Sequence, residues 1–86
     1  GDVYKRQDAK LNIGDVIVDS VSGDVGLLMR RYSLTKEESV DYLSLWVWDV
    51  YWIGSHHQSA DRIHMWTEYG LINIIKAGTF MHYKNN

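Results

Sequence analysis

Four side chains in the second half of this 86-residue chain, His56, His57, Asp61 and His64, are of the types that ligate zinc and related ions. Their spacing matches no recognised ligand pattern. His56 and His57 fall in a loop and His64 on a strand, so a polar loop and an ordinary strand histidine account for them without a metal. The absence of Cys removes thiolate sites, disulfides and cysteine nucleophiles together. No Gly-x-Ser-x-Gly elbow is present. Gly23-Asp24-Val25-Gly26 lacks the Gly-Lys-Ser/Thr ending of a phosphate loop, and Asp19 to Asp24 lacks the alternating acids and terminal Glu of a calcium loop. Glu37 and Glu38 sit in a polar connector, where a solvated turn explains two carboxylates better than an acid-base pair. The expectation is a protein that is not an enzyme and has no cofactor or metal.

The aromatic residues suggest binding instead. Trp46, Trp48 and Trp52 recur with a period of two and fall on one face of a strand. Large aromatics dominate small cores, which makes this the natural inward face. Yet three Trp from one strand strain the volume of a five-stranded barrel, and Leu45, Val47, Tyr51 and Ile53 on the opposite face could fill it instead. On that alternative the Trp stripe is an interaction surface, stacking on bases, holding cations or anchoring a protein interface. Arg30 and Arg31 point to opposite faces of their strand. Arg30 shares its face with Tyr32, a pairing that suits stacking on a base or a partner aromatic as well as a solvated edge. The candidate interaction surface is therefore Trp46, Trp48, Trp52, Arg30 and Tyr32.

These side chains must be positioned by short strands. Leu11 to Asp15 leads into a β-branched run from Val16 to Val21, Ser22-Gly23-Asp24 is a turn, and the partner strand runs from Val25 to Leu34, with Gly26 a candidate bulge or bend. Thr35 to Ser39 is a connector with capping-box spacing, followed by the strongest strand, Asp41 to Ile53. Gly54 to Ser59 is a loop and Asp61 to Trp66 a shorter strand. The period then changes. Thr67 is an N-cap, Leu71, Ile74 and Ile75 fall at i, i+3 and i+4, and Lys76 and Gly78 mark the end of a short helix or helical turn over residues 68–77. Thr79 to Tyr83 is the last strand.

Length allows one small domain, which buries only about 60% of its unfolded surface, so the four Trp must carry much of its packing. No apolar stretch approaches the ~18 residues of a membrane helix, because Asp49 interrupts the run from Leu45 to Ile53. Asp2-Val3-Tyr4-Lys5-Arg6-Gln7 looks like an in-frame translation of a transposon end used in preparing sequencing libraries, so residues 1–7 are set aside and 8–86 taken as the domain. On that expectation the natural start of the gene, and any signal peptide or upstream domain, is left open. Setting the leader aside moves the formal charge from −2 to −3. That balance argues against a binder of phosphate backbones.

Ile13-Gly14-Asp15-x-Ile17, Gly23-x-x-Gly26-Leu27, the Leu45-Trp46 strand and Leu71-x-x-Ile74-x-x-x-Gly78-x-Phe80-x-x-Tyr83 together resemble small Src-homology-3-like barrel proteins of marine bacteriophages, notably those of cyanobacterial hosts. The resemblance covers most of residues 11–83. It implies a fold, a viral and metagenomic origin, and a place in the infected bacterial cytoplasm or the virion, but no site. Gly14, Asp15 and Gly26 are also similar to the KOW motif of ribosome- and nucleic-acid-binding barrels, although Asp15, Asp19 and Asp24 stand where such a binder would offer Lys or Arg. The expected protein is mainly β: a five-stranded barrel with one short helical turn before the last strand. It is expected to be an interaction or assembly module whose partner is another protein or a copy of itself, with nucleic acid the alternative.

Overall fold

The computed structural model describes residues 10–34, 46–54 and 62–85. Residues 1–7, the connector Thr35–Ser39 and positions 41–45 of the third strand lie outside them, as does most of the loop after Gly54. The elements are β1 (Val16–Asp19), β2 (Val25–Ser33), β3 (Trp46–Ile53), β4 (Ile63–Thr67), α1 (Glu68–Lys76) and β5 (Phe80–Tyr83). The strands form one antiparallel sheet in the order β4-β3-β2-β1-β5. The chain thus meanders through four strands, crosses by α1, and returns to lay β5 beside β1. β4 and β5 form the two edges, and no ladder joins them among the described residues.

β1 is shorter than the β-branched run suggests because Asp19 turns the chain. Its Oδ1 accepts the backbone N–H of Val21 (2.8 Å) and Ser22 (3.3 Å), and its carbonyl accepts Gly23 N–H (2.7 Å). Gly23 has φ +82°, the left-handed region that the tight turn requires. The irregularity in β2 is not at Gly26, as expected, but between Leu28 and Arg30, where Met29 has no opposite number on β3. Gly26 stays in register with Ile17 and Trp52, and its lack of a side chain serves packing instead.

α1 begins and ends on the residues that its local chemistry selects. The Thr67 hydroxyl accepts Gly70 N–H at 3.0 Å, and Glu68 lies in the first turn, where the helix dipole favours an anion. At the other end Gly78 N–H donates to Ile75 O (3.0 Å) and Thr79 N–H to Ile74 O (3.2 Å), with Gly78 at φ +87°. This is a Schellman closure. Replacing Thr67 by Ala is expected to cost about 1 kcal/mol, read as a melting point lower by about 4–8 °C.

The core lies between α1 and one face of the sheet. Ile17, Leu28, Trp48, Val50 and Trp52 point inward from β1, β2 and β3, Phe80 from β5, and Leu71 from α1, with Leu11 also enclosed. Phe80 presents its ring edgewise between Trp52 and Trp66, each centroid 5.4 Å away. The face carrying the tryptophans is therefore the core face; on the opposite face Val47 is buried, but Tyr51 is only half-buried and Ile53 is 54% exposed, which corrects the alternative in which that face fills the interior, with Leu45 outside the described residues. The volume objection is met by Gly26, where a Cβ would lie 2.8 Å from Val50 Cγ1 and 3.1 Å from Trp52 Cε3. Trp52 occupies the space that a side chain at position 26 would need. Among the described residues no helix is long and apolar enough to cross a membrane.

Candidate functional site

The five residues expected to form one interaction surface are divided between two faces. Trp48 (1% exposed) and Trp52 (3% exposed) are enclosed within the single chain, so neither can touch a partner while the fold is intact. Their assignment to a surface is corrected, and the reason is the inward alternation of β3 under α1. Trp46 lies on the same side of β3, but at its outer end, and remains 43% exposed. The Arg31 guanidinium stacks over its ring at 3.9 Å.

Arg31 also forms a two-pronged pair with Glu68, Nε to Oε1 at 2.7 Å and Nη2 to Oε2 at 3.2 Å. Glu68 Oε1 accepts the buried indole N–H of Trp48 at 2.8 Å. The Arg31 guanidinium, joined by the Trp48 indole, holds the Glu68 carboxyl below its ordinary value against the opposing effect of burial. Arg31 in turn is raised by the same carboxylate. One acidic residue at the start of α1 thereby fastens the helix to β2 and β3. Arg31 is a structural cation, engaged on both its edge and its face.

On the opposite face Arg30 and Tyr32 do come together. The Arg30 guanidinium lies 4.4 Å from the Tyr32 ring centroid and 3.2 Å from Asp49, while the Tyr32 hydroxyl donates to Asp49 Oδ1 at 3.1 Å. Burial, and then the hydrogen bond and charge of Asp49, push the Tyr32 hydroxyl above its ordinary value. The pairing read from sequence is present, with Asp49 as a third member that neutralises the cation. Arg30 is well exposed, so this ion pair contributes little to stability.

Beside this cluster lies an apolar surface whose residues sequence reasoning did not single out. The strand registers place Tyr83, Val16, Leu27, Tyr51 and Ile63 in one row crossing all five strands, and Met81, Val18, Val25 and Ile53 in the next. Side chains opposite one another in a ladder share a face. Met65, opposite Asp49, extends the patch toward the Arg30 cluster. Leu27, Ile53, Ile63, Met65, Met81 and Tyr83 are between 37% and 58% exposed. No charged side chain stands in either row. A sheet apolar on both faces, one covered by α1 and the other exposed over these two rows while Val47 at its far end is buried, departs from the inward-apolar, outward-polar alternation of a solvated antiparallel sheet. The signal was legible strand by strand in Leu27, Tyr51-x-Ile53, Ile63-x-Met65 and Met81-x-Tyr83. Only the registers show that these segments form one surface.

The three acids that seemed to make the loops unsuited to nucleic acid have structural duties. Asp19 shapes the β1–β2 turn as described. Asp24 is buried, with its carboxylate against Gly54, where a Cβ could not fit. Asp15 is fully buried at the entrance to β1 and accepts three hydrogen bonds: Asn85 N–H on Oδ1 (2.9 Å), and Asn12 N–H (2.9 Å) and His82 Nε2 (2.7 Å) on Oδ2. An ionised carboxylate can only accept, so His82 donates. Burial opposes the charge on Asp15, but the hydrogen bonds from Asn85, His82 and Asn12 outweigh it and hold the carboxyl below its ordinary value. Asp15 and Asp24 are buried and offer no accessible carboxylate to a partner, whereas Asp19 is partly exposed.

Of the possible metal ligands, His56, His57 and Asp61 lie outside the described residues, and His64 sits half-buried opposite Val50. No group of three His, Asp or Glu able to hold an ion occurs among the described residues. The chain matches no protein-family model, no curated protein and no solved structure.

Proposed function

We propose that this chain is a non-enzymatic protein-interaction or assembly module whose contact surface is the open apolar face of its sheet. The observation that carries the reading is the pair of uncharged rows, one crossing all five strands and the next crossing four. Contiguous apolar patches of more than a few hundred Å² are uncommon on monomers and mark sites of association. The strand order, with β5 returning beside β1 after a helix, is compatible with the Src-homology-3-like description. A small scaffold held by an aromatic core on one side is free to use its other side for contact.

The nucleic-acid alternative draws support from two Arg–aromatic stacks, Arg30 on Tyr32 and Arg31 on Trp46. Each guanidinium is already paired with a carboxylate, which leaves little charge to offer a phosphate. The test is capture from a cyanobacterial lysate, the class of host that the resemblance suggests, using the wild type and Leu27→Lys side by side. Proteins held by the wild type and lost from the variant are expected. Identical sets from both would overturn the reading, and salt-sensitive quenching of Trp46 by oligonucleotides would favour the alternative.

A further inference from the structure

We infer that the partner for this face is a second copy of the same chain, paired about a two-fold axis through the middle of the sheet. The inference rests on the interaction reading above and names its occupant. Two observations carry it, the size of the face and its lack of charge.

A fully exposed side chain of this size offers about 200 Å², so the six half-exposed residues from Leu27 to Tyr83 present roughly 600 Å². The less exposed Val16, Val18, Val25 and Tyr51 bring the face to roughly 750 Å², close to the ~800 Å² per partner of a stable interface. The patch is large enough to sustain a dimer without help from other surfaces.

An isologous contact sets a surface against itself, so a charge near the axis meets its own image. The two rows hold only Val, Leu, Ile, Met and Tyr, and bring no such repulsion. Arg30 and Asp49, at the margin of the patch, are paired within one chain. Permanent homodimer interfaces have this character, more apolar than those between partners that also exist apart.

Leu27 stands on the central strand of the row, so its two copies fall close together in the dimer. Sedimentation across a wide concentration range is expected to show the mass rising from the 10.0 kDa of one chain toward twice that value. Leu27→Lys alone and Leu27→Glu alone should weaken pairing by roughly tenfold or more, and mixing them should restore it. Tyr83→Lys, on an edge strand, is a second variant expected to weaken pairing. Emission from the buried Trp48 and Trp52, on the other face, verifies that each variant is folded. A wild type that keeps the single-chain mass throughout overturns self-pairing, while the lysate comparison still decides whether the face binds another protein. Dimers unaffected by all three substitutions would place the contact elsewhere and also overturn it.

Discussion

Replacing Asp15 by Ala is expected to cost about 3–5 kcal/mol, a large share of the roughly 4–13 kcal/mol that a domain of this length possesses. The loss arises on three sides at once. Removing the carboxylate takes the acceptor from the backbone N–H groups of Asn12 and Asn85 and from the buried His82 imidazole. The backbone of Asp15 is engaged as well, its carbonyl accepting Leu28 N–H at 2.9 Å, but that bond survives the substitution. Thermal unfolding should show a melting point lower by about 12 °C or more, whereas Asp15→Asn, which keeps one acceptor, should lose less. The same residue sets a pH dependence. Its folded carboxyl ionises below the ordinary 3.8, so its contribution is complete at neutral pH and drains away as the pH falls beneath that value. Glu68, held below 4.5 by Arg31, adds to the same acid limb. Denaturant midpoints measured down through pH 3 should fall steeply for the wild type and less steeply for Asp15→Asn. Parallel curves would show that Asp15 does not titrate as described.

Trp52→Ala is expected to cost about 3–5 kcal/mol, and Gly26→Val about 1–3 kcal/mol, by opposite errors of volume. The first opens a cavity against Phe80, which loses one of its two edgewise partners. The second drives new methyl groups toward Val50, Ile17 and Trp52, none of which can retreat from a buried position. Because both act on one space, their effects should not add. Combined in one chain they are expected to cost measurably less than their sum, with a coupling of about 1 kcal/mol or more in a double-mutant cycle. Strict additivity would mean that Gly26 and Trp52 do not share the space assigned to them.

The elements themselves were legible because their signals are local. Thr67 and Gly78 bracket α1, Gly23 marks the first turn, and period-two alternation identifies each strand. The tryptophans were harder to place, since a stripe can be read as core or as surface until its neighbours are known. The decisive neighbour is Gly26, which is adjacent to Trp52 only across the β2–β3 ladder. Asp15 was read as a loop acid for a similar reason: its partners His82 and Asn85 lie 67 and 70 positions away, brought in by the β1–β5 pairing. The open face is likewise a property of five registers at once. Arg30 and Tyr32 were paired correctly because two residues of one strand need no tertiary information to share a face.

The fastening of Asp15 to residues 82 and 85 also has a bearing on synthesis. While the chain is being made, β1 to β4 can assemble as a meander, but Asp15 has neither His82 nor Asn85 N–H to meet until both have been translated and have cleared the ribosomal exit. Until then a carboxylate destined for the interior stays in water, and the flank of β1 that β5 will cover remains open to any other extended segment. Domains dominated by such long-range contacts complete late. The nascent protein therefore passes through an interval with an unpaired edge on β1, which the arrival of β5 closes, whereas its exposed apolar face outlasts that interval until a partner covers it.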